Sequence, residues 1–425
     1  MIKCKTVSSE DCENEGEFER LEEKLRELFP NVYQACKFEK ISKRALLFKW
    51  SGECSNSPAI LAAHYDVVEA DSGKWQKPPF SGEIEDGVIW GRGAIDTKSS
   101  LCAILSAAET LIKRGYKPKR DIYFAFGGNE EIGGDGAPSI VSYLSSRGIS
   151  PSLVLDEGGA VVEGAFPGVK CPCALIGTAE KGMVNVEYSV KSDGGHASAP
   201  KPHTPVGILS KACVKVENKP FRFKLCKSSK EMLNTLGRYS SFPYRLIFAN
   251  LWLFAPILSI ISKRRGGELS ALLRTTTAFT VMQGSDGANV IPASAKMISN
   301  HRIIPGETVD GVLQRIKKTV NDSRIEIKAT IGNDPSPISS TTSEGYKHLV
   351  SAINETWQDA IASPYLMLAC ADARHYSKIS DNVYRFSPLA LTSEERATIH
   401  GVNERISVEK LNRAVVFYTR LIEKL

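Results

Sequence analysis

The sequence has few of the features that mark secreted, nucleic-acid-binding or disulfide-rich proteins. Its ten cysteines are scattered, with Cys171 and Cys173 as the one close pair, so we expect buried free thiols and no cysteine zinc site. The net charge of +6 and the pI near 8.7 come without a block of basic residues, which argues against a nucleic-acid partner. The polar N-terminus lacks the apolar core of a signal peptide, which predicts a reducing, cytoplasmic setting.

Length and composition indicate a globular protein with more than one domain. A chain of 425 residues is too long for a single ordinary hydrophobic core, so two domains are expected. The hydrophobic share of 42% and the charged share of 24% are typical of soluble globular proteins.

Two adjacent carboxylates, Glu130 and Glu131, follow an apolar run in the stretch FAFGGNEEIGG. Its glycines permit a turn, in which neighbouring side chains can converge on one centre. Two ionised carboxylates held close together repel each other, and a buried charge is costly unless it is paired or bound to a metal. A nearby divalent cation would remove both costs.

Further candidate ligands follow other predicted strands in the first half of the chain. They are His64 and Asp66 in LAAHYDVVEA, Asp96 in WGRGAIDTKSS and Asp156 in LVLDEGG. Strands alternate with helices here, which predicts an α/β domain with a mixed, largely parallel sheet. Such sheets bind ligands beyond the carboxyl ends of their strands. His400, in ATIHGVNERIS, precedes the last predicted helix.

The middle of the chain has a different pattern. Residues 182–192 alternate apolar and polar side chains, as a half-exposed antiparallel strand does, and residues 278–282, 296–303 and 324–331 are similar. We therefore predict an inserted α+β domain over residues 178–334, with residues 1–177 and 335–425 forming the two parts of the catalytic domain.

An apolar segment at residues 244–261, followed by three basic residues, lies inside this insertion. It is near the length of a membrane-spanning helix. The favoured interpretation is a buried helix. An apolar wall for a lipophilic substrate and a membrane-contacting patch are the alternatives.

The histidines and carboxylates together suit a centre with two divalent metals. Such a centre needs about five imidazole and carboxylate ligands and leaves positions open for water. The five predicted ligands are His64, Asp96, Glu131, Asp156 and His400. Asp66 is a candidate to orient the His64 ring. Glu130 remains as a general base that moves a proton from water to the leaving nitrogen.

Several blocks resemble, in order, the signature motifs of the M20 metallopeptidase and aminoacylase family. They are HYDVV, GRGAIDTK, GGNEEIGG, LDEGG and IHGVNE, and residues 182–200 with NVIPASAKMISNHRIIPG resemble that family's lid, or dimerisation, domain. The features LFPNVY, WLFAP and RTTTAFTVMQG are most similar to the carboxypeptidase S branch, which includes N-acyl amino acid amidohydrolases.

The resemblance implies a di-zinc exopeptidase-type catalytic domain and a homodimer, with Co²⁺ or Mn²⁺ as substitutes for zinc. It implies that Asp96 bridges the two ions, that His64 and Asp156 complete one site, and that Glu131 and His400 complete the other. It assigns His196 to the scissile carbonyl across the dimer. It also assigns contacts with the substrate, including its carboxylate, to three residues, Asn289, Arg302 and Arg374.

We therefore predict a zinc hydrolase that cuts an amide bond beside a free carboxylate in a small molecule. Deacylation of N-acyl amino acids is favoured over carboxypeptidase or dipeptidase action. A catalytically silent binding protein and a two-metal phosphoesterase are the alternatives from other classes. The complete ligand set with Glu130 argues against the first, and the absence of a Gly-rich P-loop or of clustered Arg and Lys around the metal motifs argues against the second.

Overall fold

The computed structural model describes residues 1–9 and 14–425. In chain order the strands are β1 (Lys37–Ser42), β2 (Ala45–Trp50), β3 (Cys54–His64), β4 (Ile84–Glu85), β5 (Val88–Trp90), β6 (Arg120–Gly127), β7 (Leu153–Val162), β8 (Cys173–Glu180), β9 (Gly182–Lys191), β10 (Gly195–His196), β11 (Thr276–Gln283), β12 (Val290–Ile291), β13 (Ser294–Ile303), β14 (Glu326–Asn333), β15 (Ile361–Met367), β16 (Val383–Leu391) and β17 (Arg405–Ser407).

The helices are α1 (Glu15–Leu28), α2 (Pro30–Ala35), α3 (Lys98–Lys113), α4 (Gly136–Ser145), α5 (Pro205–Glu217), α6 (Lys227–Tyr239), α7 (Phe242–Ala249), α8 (Leu251–Arg265), α9 (Gly267–Leu273), α10 (Val309–Val320), α11 (Glu344–Thr356), α12 (Ala373–Tyr376), α13 (Ser393–Ala397) and α14 (Val408–Lys424).

A mixed eight-stranded sheet forms the centre of the larger unit, in the order β1-β2-β6-β3-β7-β16-β8-β15. The central strands β6, β3, β7 and β16 are parallel, and β1, β2 and β8 run antiparallel to neighbours. Residues 58–63 of β3 and 122–127 of β6 form continuous buried apolar runs, because helices cover both faces of the sheet here. Side chains of α3 and α14 pack on one face and those of α4 and α12 on the other. The predicted α/β class is confirmed.

A close approach of two backbones explains the glycines that follow Asp156 in β7. A Cβ atom on Gly159 would lie 1.8 Å from the carbonyl oxygen of Leu175 in β8. Glycine therefore lets β7 continue past the end of β3 and pair with β8.

A four-stranded antiparallel sheet, in the order β11-β13-β9-β14, forms the inserted unit. Burial alternates along β9, as its sequence predicts, and its buried side chains pack against α5 and α10. Apolar residues recur at helical spacing in VDGVLQRIKKTV, which predicts a helix, and α10 spans these residues, Val309–Val320. The boundaries at residues 178 and 334 stay a prediction.

Helices α6 to α9 lie within the predicted insertion but pack against the edge of the large sheet. Phe166, Met232, Leu236 and Phe248 form a buried cluster there, with Tyr365 of β15 against it. The chain thus leaves the small sheet after α5, covers the edge strand β15, and returns through β11.

The prediction of one buried helix over residues 244–261 is wrong. The segment forms α7 and α8, which break at Asn250 and bend by 108°. No single helix within residues 1–9 and 14–425 is long and apolar enough to cross a membrane. Several large side chains of both helices are exposed, because only one side of the pair packs against the protein.

Candidate metal centre and substrate site

His64 ends β3 with its side chain buried and its ring held on both sides. Its Nδ1 atom lies 3.1 Å from the carbonyl oxygen of Asp66, and its Nε2 atom lies 3.0 Å from Oδ1 of Asp96. The first contact favours the tautomer that carries its proton on Nδ1, which leaves Nε2 as the ligand atom.

The buried carboxylate of Asp66 connects His64 to the turn that carries the paired glutamates. It accepts hydrogen bonds of 3.1 Å from the backbone N–H groups of both Glu130 and Glu131, and one of 2.7 Å from the Ser8 hydroxyl. Because Oδ1 of Asp66 also lies 3.3 Å from Nδ1 of His64, this carboxylate contacts both the turn and the imidazole.

The turn after β6 is compact because its glycines permit it. Residues Glu130–Ile132 form a 3₁₀ turn that ends at Gly133, where φ is 66°. At Gly134, a Cβ atom would lie 2.2 Å from the Asn129 side chain, whose oxygen accepts the backbone N–H of Gly136. Glycine is thus needed at both positions to bring the carboxylates to the end of the strand.

Asp96 lies between the two histidines. Its Oδ1 atom is 3.0 Å from Nε2 of His64, and its Oδ2 atom is 3.2 Å from Nε2 of His400. Glu131 Oε2 lies 3.0 Å from the same His400 nitrogen. One carboxylate with an imidazole at each oxygen is the arrangement expected of a ligand shared by two metal ions.

The ionisation of these groups reflects their close contacts. Burial alone would raise the pKa of Asp96, but the imidazoles of His400 and His64 outweigh burial and hold it well below its ordinary value. Hydrogen bonds to Asp96 and Glu131 raise the pKa of His400 to about 10. Burial raises the pKa of Glu130 well above its ordinary value, opposed by His64 and assisted by the carboxylate of Glu157.

Asp156 and Glu157 are adjacent on β7 and both approach the centre. Asp156 is buried, and its Oδ2 atom has no hydrogen-bond partner among residues 1–9 and 14–425. Glu157 Oε1 lies 3.5 Å from Nε2 of His64, and the ligand atoms of His64, Glu130 and Glu157 lie within 4.8 Å of one another. The sequence prediction included Asp156 and overlooked Glu157. Burial, with the charge of Asp96, raises the pKa of Glu157 to about 8.

A second overlooked residue, Glu404, holds the loop of Asp96. Its fully buried carboxylate accepts the backbone N–H groups of Ile95 at 2.7 Å and of Asp96 at 3.1 Å, and it pairs with Arg92 at 2.8 Å. Because Glu404 follows His400 by four residues, it joins the two loops that carry these candidate ligands. Glu404 ends the motif IHGVNE, but the motif alone does not show that its carboxylate contacts the Asp96 loop.

The residues fit a pair of divalent cations. Five carboxylates, of Asp96, Glu130, Glu131, Asp156 and Glu157, gather around two imidazoles. Buried oxygens of Glu131 and Asp156 lack partners within the described residues. Buried anions in excess over nearby cations are costly, and imidazole with carboxylate is a ligand set that suits zinc, manganese and cobalt.

Two predicted substrate residues lie together beside the loop before α12. The Arg302 guanidinium reaches the Cys370 sulfur at 3.6 Å, and that of Arg374 donates to the Ala371 carbonyl at 3.0 Å. The next residue, Asp372, also lies at the site, since a Cβ atom on Gly127 would be 2.8 Å from its Oδ2. Burial, with the charge of Asp156, raises the pKa of Asp372 to about 7.

The other two predicted residues lie on an exposed ribbon formed by β10 and β12. The His196 ring contacts the Ser198 hydroxyl at 2.7 Å, and the Asn289 carbonyl accepts the backbone N–H of Ala197. In the described part of one chain, no hydrogen bond or ion pair joins His196 to the metal centre.

Comparison with known proteins decides the family. The model of peptidase family M20/M25/M40 matches residues 60–424. The chain belongs to peptidase family M20. It is 39% identical over 423 residues to probable carboxypeptidase S-like 2 of Dictyostelium discoideum, covering 98% of this chain and 81% of that protein. It is 38% identical over 429 residues to the N-fatty-acyl-amino acid synthase/hydrolase PM20D1 of Xenopus tropicalis, covering 99% and 84%. This M20 chain is therefore a metallohydrolase.

Solved structures agree on the fold. The M20 family metallo-carboxypeptidase Sso-CP2 from Sulfolobus solfataricus has a TM-score of 0.73 at 18% identity, over 99% of this chain and 96% of that one. Human carnosine dipeptidase 1 has a TM-score of 0.68 at 15% identity, over 100% and 93%. The predicted exopeptidase-type fold is confirmed.

Proposed function

We propose that this M20 enzyme is a zinc-dependent amidohydrolase that removes a long acyl group from N-acyl amino acids. The observation that carries the substrate class is an apolar cavity of about 770 Å³. Phe166, Met232, Leu236, Phe248 and Leu258 are among the side chains that line it. A cavity of this size and polarity suits an aliphatic chain better than the side chain of a dipeptide.

The positions of two lining residues in the chain support a connection between this cavity and the metal centre. Arg396, which lines the cavity, lies four residues before His400. Tyr365 lines it from β15, two residues before Met367, and a Cβ atom on Gly158 would be 2.6 Å from the Met367 sulfur. Gly158 follows Glu157. The acyl chain would therefore extend from the centre along the edge of the large sheet.

The proposed ligands are those predicted from the sequence. Asp96 would be shared, His64 and Asp156 would hold one ion, and Glu131 and His400 the other, with Asp66 orienting His64. Zinc, when bound, would supply a Lewis acid and an activated water. Glu157 is a further candidate ligand, since its carboxylate also faces His64.

The protein's own groups would then carry the proton and hold the substrate. Glu130 would accept a proton from the attacking water on its carboxylate and deliver it to the leaving nitrogen. Arg302 and Arg374 would bind the free carboxylate of the substrate. In the proposed homodimer, His196 and Asn289 on the exposed ribbon of one copy would reach the site of the other, where the imidazole stabilises the developing oxyanion.

The test is hydrolysis of a substrate series by the zinc-loaded enzyme. The series comprises N-acyl phenylalanines with acyl chains of two to eighteen carbons and a dipeptide panel. We expect kcat/KM to rise at least about tenfold from the acetyl to the long-chain members, because each buried methylene adds binding energy. Glu130→Gln should lose about 10²–10⁴-fold on all members with its metals retained, and the exposed Glu326→Gln should lose nothing.

Variants at two adjacent positions on α8 distinguish binding of the acyl chain from hydrolysis of the amide bond. Leu258→Trp fills the cavity and should lower kcat/KM for long chains while sparing the acetyl substrate. Ile257→Trp, on an exposed neighbour that does not line the cavity, is the matched control. Equal turnover of all chain lengths, or an equal effect of the two variants, would refute the acyl-chain assignment.

Peptidase action is the second candidate, because a probable carboxypeptidase S-like protein is the 39% identical relative. The two arginines beside Cys370 would serve a peptide's terminal carboxylate equally well. Dipeptides that exceed every N-acyl amino acid in kcat/KM would favour this function.

A further inference from the structure

Helices α7 and α8 present a large apolar surface to solvent. Of the 19 large hydrophobic side chains that are exposed in the described residues, nine lie between Tyr239 and Ile261. Trp252 is 80% exposed and Phe242 is 76% exposed. We call the set Phe242, Leu246, Trp252, Leu253, Ile257 and Ile260 the outer apolar face. A concentration of exposed apolar side chains of this kind marks a site of interaction with a protein or a membrane.

The inner side of the same helices is already packed, so the outer apolar face cannot turn inward. Phe248 is buried in the cluster against β15, and Ile247 and Leu258 line the cavity. The buried Arg274 fixes the end of α8, since its guanidinium donates to the Ser259 carbonyl at 2.9 Å and to the Ser262 hydroxyl at 2.7 Å. Helix α8 is apolar around most of its circumference, which is typical of a helix with apolar surroundings on every side.

The charged side chains of this segment, from residue 232 to residue 267, are all basic. Between Glu231 and Glu268 the chain has no acidic residue and five cations, which are Arg238, Arg245, Lys263, Arg264 and Arg265. All five are exposed, and their combined charge of +5 compares with a net charge of +6 for the whole chain. Within the described residues, none of them forms an ion pair with a carboxylate.

This charge pattern distinguishes between possible occupants. A second copy of the chain related by a two-fold axis would bring the same five cations against these five, which is repulsive. An anionic bilayer offers acyl chains to the outer apolar face and phosphates to the cations. Trp252 and Tyr244 belong to the residue types that prefer the boundary between headgroups and acyl chains. Neither α7 nor α8 alone is long enough to cross a bilayer, and the 108° bend prevents the pair from forming one straight span.

We propose that the α7–α8 hairpin docks this enzyme on the surface of an anionic phospholipid bilayer. The outer apolar face enters the boundary between headgroups and acyl chains, and the five cations bind the headgroups. This interaction does not depend on which amide the enzyme hydrolyses.

The experiment is co-sedimentation of the metal-loaded full chain with vesicles. Vesicles of phosphatidylcholine alone are compared with vesicles that contain one quarter phosphatidylserine. We expect at least about tenfold tighter binding to the anionic vesicles, and weaker binding as salt is raised. Lys263→Gln with Arg264→Gln should weaken binding about 30-fold, since each basic residue near the surface contributes about a factor of five. Trp252→Ala with Ile257→Ala should weaken it at least about tenfold.

Matched pairs elsewhere provide the controls. Lys317→Gln with Lys318→Gln changes two exposed cations in the last turn of α10, and Met282→Ala with Ile331→Ala removes two exposed apolar side chains from the small sheet. Both control pairs should bind vesicles as the unmodified chain does. Hydrolysis of an N-acetyl substrate without vesicles should be unchanged in all four variants, which verifies their fold.

Three results would overturn the proposal. The first is no binding to either vesicle, and the second is equal binding to neutral and anionic vesicles. The third is self-association in sedimentation velocity that Trp252→Ala with Ile257→Ala abolishes, because the outer apolar face would then cover a second copy.

Discussion

Two buried carboxylates, Asp66 and Glu404, accept backbone N–H groups from the loops that carry the candidate ligands. Each also contacts a charged or ionisable side chain, which is His64 for Asp66 and Arg92 for Glu404. A carboxylate oxygen has two lone pairs, so one side chain can fix several donors at once. These two residues therefore hold the backbone of the loops from which the candidate ligands extend.

At the residue scale, Glu404→Gln tests this role. The substituted amide cannot form an ion pair with Arg92. Its NH₂ group is also a donor, so it cannot accept the backbone N–H groups that the carboxylate oxygen accepts. We expect the free energy of unfolding to fall on the order of 3 kcal/mol, because a buried charge is left unpaired. Metal affinity should fall as well, since the Asp96 loop is no longer held. Urea unfolding and metal titration measure the two effects.

The control for Glu404→Gln is Glu394→Gln, which removes the exposed partner of Arg405. Exposed pairs contribute under about 1 kcal/mol. Equal unfolding free energies for the two variants would show that Glu404 does not organise the loop.

At the scale of elements, the small sheet contains a histidine whose protonation would lower the stability of the fold. His301 on β13 is fully buried, with its ring nitrogens 3.0 Å from the Thr277 hydroxyl and 2.7 Å from the Ser299 hydroxyl. Burial lowers the pKa of His301 to about 4. Neither neighbour is anionic, so a proton on this ring has no compensating charge.

This histidine makes stability fall in mild acid. Below pH 6.5 the unfolded chain binds a proton at His301 and the folded chain does not, so the free energy of unfolding decreases as the pH falls toward 4. The loss from His301 alone is on the order of 2 kcal/mol between pH 7 and pH 5. Urea unfolding at both pH values should show a loss smaller by that amount in His301→Gln. The exposed His203→Gln should keep the full loss, and parallel curves for all three proteins would contradict the assignment.

Helices α7 and α8 are held by the protein on one side only. Its inner side chains pack against the edge of the large sheet, whereas the outer apolar face has no counterpart in the described chain. The fold therefore fixes the position of these helices and leaves one side available for binding.

At the scale of the whole molecule, bound metals should contribute to stability. The candidate ligands come from β3, from the loops after β5 and β6, from β7 and from the loop before β17, so a bound metal would join distant parts of the chain. An ion that binds only the folded state stabilises it by about 2.7 kcal/mol when free metal exceeds Kd a hundredfold. Removal of metal with a chelator should lower Tm by several degrees, and added zinc should restore it.

The control for metal removal is Asp96→Asn, which weakens the shared ligand. Its Tm should respond to chelator and zinc much less than that of the unmodified chain. Differential scanning calorimetry measures both proteins. A Tm that does not change with chelator in the unmodified chain would show that the centre is not linked to folding.

The sequence by itself determined the classes of element and most of the centre. Helical and alternating apolar spacing predicts α10 and β9 because these periods follow from backbone geometry. The motifs identify His64, Asp96, Glu131 and His400, which the fold brings within contact distance of one another. The metal identity, the residue roles, the homodimer and the cytoplasmic setting stay predictions.

Only the tertiary structure decided which acids serve the centre and which apolar side chains are covered. Glu157 and Glu404 lie inside the motifs LDEGG and IHGVNE, but their roles, like that of Asp372, depend on partners that are tens to hundreds of residues away in the chain. The apolar segment of α7 and α8 has the composition of a buried helix, yet composition cannot specify which side meets the protein. Burial is a property of the packed molecule, since it depends on every element that surrounds a side chain.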